Sequence, residues 1–200
     1  MMNILITVAH PDDETIGMGG TIKKLSKNNE ITLCVMSDGA SAQYDDKKMI
    51  KVRQDACKKA GKILGISKFH FLNFPDMKLD SISHVEMNKE LEKIIKKINP
   101  KILYSTSYND LNKDHQKVFE SCSVISRPIS SKIKKFLCFE MGGRNKIPFN
   151  PNTYVDISKE LSFKLKALNQ YKTEINPFPH ERSLKFIESL SHVRGVESGF

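Results

Sequence analysis

The stretch Asn3-Ile4-Leu5-Ile6-Thr7-Val8-Ala9-His10-Pro11-Asp12-Asp13-Glu14 decides how this chain is read. Its first half is an apolar run of strand length, and its second half sets an imidazole and three carboxylates where that strand would end. Open α/β sheets keep their chemistry in the crevice beyond the carboxyl ends of their strands. A second cluster, Asp110-Leu111-Asn112-Lys113-Asp114-His115, follows another apolar run, Ile102-Leu103-Tyr104, so two distant segments can deliver polar ligands to one crevice. Together they point to a metal hydrolase.

Outward from that stretch, apolar runs alternate with amphipathic ones. Strands are expected near Asn3–Ala9, Ile31–Met36, Phe69–Leu72, Ile102–Ser105 and Phe136–Phe139, with helical patterns between them, which argues a mostly parallel sheet covered by helices. A helix is expected around Gly20–Lys27. Another over Lys48–Leu64 gathers Ile50, Cys57, Ala60, Ile63 and Leu64 near one face and stops at Gly65. Ser83-His84-Val85-Glu86 fits a capping box opening a helix that runs to about Ile98, before Asn99-Pro100. Two further helices are expected near Ser158–Tyr171 and Glu181–Arg194, separated by a stiff loop, Asn176-Pro177-Phe178-Pro179-His180.

The chain has 200 residues, 39% of them hydrophobic, enough for a substantial core, and no low-complexity stretch divides it. One domain spanning residues 1–200 is expected. The first apolar run is too short for a secretory h-region, and no run approaches the length of a membrane span. Cys34, Cys57, Cys122 and Cys138 lie far apart with no C-x-x-C pair, which fits reduced, mostly buried thiols and a cytoplasmic location. The net charge of +9 is spread over pairs such as Lys58-Lys59, Lys96-Lys97 and Lys134-Lys135. It reads as a solvated surface that can also steer anionic, phosphorylated or nucleotide-linked molecules; without zinc-finger or RNP-type motifs, nucleic acid is not expected as a partner.

A catalytic zinc ion takes about three protein ligands of imidazole and carboxylate type and leaves a position for water. His10 and Asp13 supply two, and His115, just after the fourth expected strand, is the best candidate for the third. Asp12 stays free of the metal and accepts a proton from the bound water. Asp114 either orients a ligand imidazole or bonds backbone at its turn. Gly17-Met18-Gly19-Gly20 offers a competing reading as a phosphate cradle, but its spacing is wrong for G-x-G-x-x-G and the neighbouring acids would repel pyrophosphate. The glycines are read instead as allowing close helix–strand packing near the site.

In these residues the chain resembles the PIG-L/LmbE-like family of zinc-dependent N-acetylglucosaminyl deacetylases over nearly its whole length. The resemblance is carried by Ala9-His10-Pro11-Asp12-Asp13-Glu14 with Gly17, Gly19 and Gly20, then Ser37-Asp38-Gly39, Arg53 in a helix ending Leu64-Gly65, and Asp110–His115. Val155-Asp156-Ile157, Pro179-His180-Glu181-Arg182-Ser183 and Arg194-Gly195 complete it. It implies a Rossmann-like three-layer αβα fold, one zinc ion per chain on His10, Asp13 and His115, and Asp12 as general base. A related divalent metal fits the same N/O donors. The implied substrate is an N-acetylated amino sugar, free or carried on a nucleotide, phosphate or lipid. Two positions depart from the family pattern. Asn112 stands where many members have histidine, and asparagine carries no proton near neutral pH. Ala56 stands where a glutamate often follows the helix arginine, so that glutamate's role is either dispensable or supplied by Asp55.

Among the remaining residues, Arg53 is expected to grip substrate or pair with Glu14, its bland reading being a helix-surface arginine. Asn112 is placed on the substrate side. His180 is expected to donate to the oxyanion or bind the sugar, its bland reading being a loop residue capping the next helix. His70 reads as structural, His84 and His192 as solvent-facing, and Asp38 as a crevice or turn residue. The expected function is removal of an N-acetyl group from an N-acetylglucosamine-type sugar or conjugate. Its rivals are hydrolysis of another N-acyl or N-formyl amino sugar or small amide, and a non-catalytic nucleotide- or nucleic-acid-binding module. Assembly into a homo-oligomer is left open.

Overall fold

The structure, a computed structural model, describes residues 1–143 and 145–200. Its centre is strand β1 (Asn3–Val8), flanked by β2 (Glu30–Ser37) and β4 (Ile102–Ser105), with β3 (Lys68–Phe74) and β5 (Lys135–Cys138) at the edges. Every pairing is parallel, in the order β3-β2-β1-β4-β5. Alternation of side chains sends Ile4, Ile6 and Val8 to one face and Leu5 and Ala9 to the other. Both faces are covered, which is why β1 reads as an unbroken apolar run.

The first face is covered by α1 (Asp13–Leu25), α2 (Lys48–Leu64), α5 (Leu161–Leu168) and α6 (Leu184–Ser198), through Ile16, Ile22, Cys57, Leu64, Leu168 and Ile187 among others. The second is covered by α3 (His84–Ile98) and α4 (Lys113–Ile125), with Met87, Leu91, Ile94 and Ile98 one turn apart along α3. The result is a three-layer αβα fold. The chain winds outward from β1 to β3, then returns to β4 on β1's other side, so the loops after β1 and β4 diverge and leave a crevice between them.

Helix ends follow local chemistry. Gly65, at φ 90°, closes α2 with its N–H on Gly61 O, and Asn99, at φ 51°, closes α3. The expected capping box at Ser83 does not form: its hydroxyl accepts no bond, and Glu86 N–H goes to Ser83 O at 2.9 Å. Helix α1 begins at Asp13, seven residues before the expected start at Gly20, and carries the glycines inside it. They do permit close approach, but to what lies beyond β5 and on α5 rather than to a strand. A Cβ on Gly17 would fall 2.2 Å from Phe139 Cδ2, and one on Gly20 2.6 Å from Ile157 Cδ1. Helix α5 runs Leu161–Leu168, shorter than expected at both ends; its late start follows from Asp156 Oδ1, which takes the Ser158 N–H and hydroxyl and holds the preceding residues in a turn. Helix α6 starts at Leu184, where Ser183 Oγ accepts Phe186 N–H at 3.1 Å. No helix among the described residues is long and apolar enough to cross a membrane.

Candidate active site

The first cluster occupies the turn from β1 into α1, where it is firmly held. Asp12 has φ 144°, a region that disfavours any residue with a Cβ. Its N–H is taken by Glu14 Oε2 at 3.2 Å, and its carbonyl receives Thr15 and Ile16 N–H at 3.0 and 2.9 Å. Arg53 Nη2 donates to Pro11 O at 3.2 Å, and Gly39, at φ +64°, lies where a Cβ would meet Pro11 Cδ at 2.3 Å. Asp13 turns back to accept Ala9 and His10 N–H at 3.1 and 2.8 Å. Glu14 is buried against the hydroxyls of Thr15 and Tyr171, and burial lifts its carboxyl to about 7.

The second cluster meets the first across the crevice. His115 Nε2 faces His10 Nδ1 at 3.3 Å and Asp13 Oδ1 at 3.4 Å, while His10 Nδ1 lies 3.5 Å from Asp13 Oδ2. The two Asp13 distances end on different oxygens, but one ligand atom from each of His10, Asp13 and His115 lies within 4.8 Å of the others, a grouping that could hold a small divalent cation. The outer ring nitrogens are also engaged. His115 Nδ1 faces Asp110 Oδ2 at 2.7 Å, and His10 Nε2 faces Asp114 Oδ2 at 3.3 Å and Asp76 Oδ1 at 3.4 Å. Carboxylates on the far nitrogens fix the tautomers that aim Nδ1 of His10 and Nε2 of His115 into the shared space. Asp114 also accepts Leu79 N–H, so it performs both tasks that its position in the sequence allowed.

Charge follows the same geometry. Burial pulls the His10 imidazole down, yet Asp114 and Asp13 outweigh it and raise it to about 10; His115 rises to about 9 under Asp13 and Asp110. Burial pushes Asp13 up, but the two imidazoles hold it well below the usual carboxylate range. Asp12 is pushed by burial to about 6, against the pull of Arg182 and Arg53. Its Oδ2 lies 3.5 Å from Arg53 Nη2 and 3.8 Å from Arg182 Nη1, whereas its buried Oδ1 has no hydrogen-bond partner among the described residues.

Other expected residues are placed with mixed results. Arg53 is no surface residue: it is buried, and its carboxylate partners are Asp12 and Glu174, at 3.3 Å from Nη1, rather than Glu14. Glu174, not Asp55, is therefore the acid facing the helix arginine; Asp55 makes no ion pair among the described residues. Asn112 caps α4, its Oδ1 accepting Asp114 N–H at 2.9 Å and its Nδ2 facing Met77 Sδ at 3.7 Å. His180 is exposed and accepts Arg182 N–H on Nδ1 at 3.0 Å. Asp38 makes a turn, accepting Ala40 and Ser41 N–H. His192 is exposed, whereas His84 is half-buried. Sequence reasoning quoted Asp110 and Arg182 in motifs but gave them no role, and it missed Asp76 and Glu174 as neighbours of the cluster. Only Asp110 carried a usable local signal, a carboxylate five residues before His115 at the start of α4.

A family model described as PIG-L: GlcNAc-PI de-N-acetylase matches residues 5–125. The chain is 27% identical to the diacetylchitobiose deacetylase of Thermococcus kodakarensis, covering 98% of this chain and 79% of that protein. It is 29% identical to the uncharacterized deacetylase YaiS of Escherichia coli, covering 85% and 90%. The solved N,N'-diacetylchitobiose deacetylase from Pyrococcus horikoshii, complexed with its inhibitor MPG, superposes with a TM-score of 0.81 at 25% identity, covering 99% of this chain and 80% of that one.

Proposed function

The chain belongs to the PIG-L family and is a metal-dependent N-deacetylase, and on that premise we propose that it hydrolyses the N-acetyl group of an N-acetylglucosamine-type sugar or sugar conjugate, with zinc as its metal. The observation that carries this reading is the unpartnered, buried Oδ1 of Asp12 beside the His10–Asp13–His115 triangle. His10 through Nδ1, His115 through Nε2 and Asp13 through its carboxylate would hold the ion. When bound, zinc supplies Lewis acidity, polarising the amide carbonyl and lowering the pKa of a water.

Asp12 is the general base in this reading. Burial and the opposing arginines leave it near 6, close to the range a base needs at neutral pH. Oδ1 takes the proton of the attacking water, the amide carbon becomes tetrahedral, and Asp12 returns that proton to the departing nitrogen. Acetate and a free amine result. Arg53 and Glu14 hold the Asp12 turn in place. Arg182, its side chain 34% exposed, is the guanidinium beside Asp12 that remains open to substrate. His180 accepts on Nδ1, so its neutral ring carries hydrogen on Nε2 and can donate to the developing oxyanion. Asn112 frames the His115 loop and offers Nδ2 to a sugar hydroxyl. Residues 1–200 act as one unit, since the site draws on residues from 10 to 182. The four unpaired cysteines support a reducing, cytoplasmic setting.

The test is acetate release from free, phosphate-linked, nucleotide-linked and lipid-linked N-acetylglucosamine by zinc-loaded and metal-stripped protein. Zinc-dependent acetate from any of them, lost in Asp12→Asn with metal retained, supports the reading. Release of another acyl acid from an N-acyl sugar overturns the acetyl assignment, and activity that survives Asp12→Asn overturns the base.

A further inference from the structure

Beside the metal cluster, on the β5 side of the sheet, lies a cleft of about 900 Å³ between α1, α5–α6 and the segment 147–158. Ser107 and Asn109, in the loop leading to the His115 partner Asp110, are among its lining residues, and so are Ile16 and Gly17, about one turn past Asp13 on α1. The cleft thus shares walls with both halves of the active site. Tyr104, Tyr108, Phe119, Phe136, Phe149 and Tyr154 make much of its surface aromatic. Gly17 keeps α1 in contact with Phe139 there, at a spacing that leaves no room for a Cβ.

One cation lines this cleft from α5. Lys164 is only 7% exposed, with its stem packed where a Cβ on Gly19 would lie 3.0 Å from Lys164 Cγ. The only hydrogen bond of its ammonium among the described residues is a long one to Ser191 Oγ, 3.5 Å. Glu140, the acid nearest in effect, is engaged by both arms of Arg194 at 2.8 and 2.7 Å, and no ion pair joins Lys164 to a described carboxylate. Burial pulls the ammonium down to about 8, against Glu140, so it remains largely charged at neutral pH. A charge removed from water without a partner is costly, and an anion is the chemistry that relieves it.

We propose that this cleft receives the aglycone of the sugar conjugate, and that the aglycone is an apolar chain or ring carrying an anionic group, phosphoryl or carboxyl, seated on Lys164. The assignment rests on the deacetylase reading for its catalytic consequence but not for binding. The anion lies beyond the sugar, so it affects how substrates are held and not how the amide is cut.

Binding is tested first, without turnover. Dodecyl phosphate, dodecanoate and the neutral octyl glucoside, each below its micellar concentration, are titrated calorimetrically into metal-loaded wild type, Lys164→Met and Lys164→Arg. Wild type and Lys164→Arg are expected to prefer at least one anionic probe by roughly tenfold or more, and Lys164→Met to lose that preference while still binding apolar chains. The better anionic probe distinguishes phosphoryl from carboxyl. Equal affinity for all probes in wild type, or an anion preference that survives in Lys164→Met, overturns the proposal.

Turnover then separates this idea from the parent reading. An alkyl N-acetylglucosaminyl phosphate should show a KM about tenfold below that of a neutral alkyl N-acetylglucosaminide in wild type and an equal one in Lys164→Met. Deacetylation with no such difference in KM sinks the aglycone assignment and leaves the deacetylase standing. Lys164-dependent probe binding without deacetylation sinks the parent reading and leaves the anion seat.

Discussion

The clearest quantitative test of the metal centre is Asp110→Asn. Asp110 uses its two oxygens differently: Oδ1 accepts Asn112 N–H at 2.8 Å, and Oδ2 meets His115 Nδ1 at 2.7 Å. An asparagine that keeps its carbonyl on Asn112 must turn its NH2 toward Nδ1. That nitrogen is then asked to accept, which moves the ring hydrogen to Nε2, the atom aimed at the metal space. A charge-assisted hydrogen bond of this kind is worth about 1.5–3 kcal/mol, so metal affinity should fall roughly 10- to 150-fold. The local fold should survive, because the Asn112 contact is kept. Zinc affinity would be measured by competition with a chromophoric chelator, with circular dichroism confirming the fold. Asp114→Asn provides the internal contrast, since its contact to His10 Nε2 is longer, 3.3 Å, and shared with Asp76 at 3.4 Å. It should cost less than Asp110→Asn. An affinity unchanged in Asp110→Asn, or the reverse order of the two variants, would refute the tautomer argument.

Asp12→Asn should retain zinc at near one equivalent while kcat falls by about 10²- to 10⁴-fold, measured by acetate release under saturating metal. Gly39→Ala should cost about 2 kcal/mol, because a Cβ at φ +64° would meet Pro11 Cδ at 2.3 Å; calorimetry should show Tm lowered by roughly 4–8 °C. For Lys164 the sign is set by burial, which holds its folded pKa at about 8, below the ordinary lysine value of 10.5. Between those two values the unfolded chain holds more protons, so the lysine's contribution to wild-type stability rises with pH across that window and its full cost is felt below it. Denaturant titrations should find Lys164→Met more stable than wild type at pH 7, by on the order of 3 kcal/mol from the charge alone. That advantage should shrink as pH rises from 8 to 10.5. A variant less stable than wild type at pH 7 would show that the charge is matched in the fold.

Much of the fold was legible because a parallel sheet writes its strands as short apolar runs; β4 matches its expected bounds, and the other four strands fall within two residues of theirs. Helix α2 was equally clear, since Gly65 is the left-handed stop its pattern demands. The start of α1 was not legible: three glycines within four residues look like a turn, and only contacts with Phe139, Lys164 and Ile157 show what a helix gains from them there. The starts of α5 and α6 were misjudged because side-chain bonds at Asp156 and Ser183 take over from helical periodicity there. In the site, His10, Asp13 and His115 converge as their positions after β1 and β4 suggested. Arg182 stands in a motif quoted for the resemblance, but its place beside Asp12, and that of Glu174 between Arg53 and Arg182, were not legible for a topological reason: both come from the far end of the chain through the packing of α5 and α6 on the first face, and no local pattern encodes that.

The groups that hold the ligands and those that shape Asp12 thus come from different parts of the chain. His10, Asp13 and His115 and the carboxylates that face them sit on the turns after β1, β3 and β4 and on the first turns of α1 and α4, which the parallel sheet brings together. Asp12 stands at a strained φ of 144°, fixed by Glu14 beneath it and Arg53 beside it. Glu14 is tied in turn to Tyr171, and Arg53 to Glu174, so the C-terminal third reaches Asp12 by two routes, neither of which passes through His10, Asp13 or His115. Strain at a functional residue persists only where its surroundings over-determine it. Loosening either route, by Tyr171→Phe or Glu174→Gln, should therefore lower turnover while leaving metal affinity in place, a separation that a single cooperative cluster would not allow.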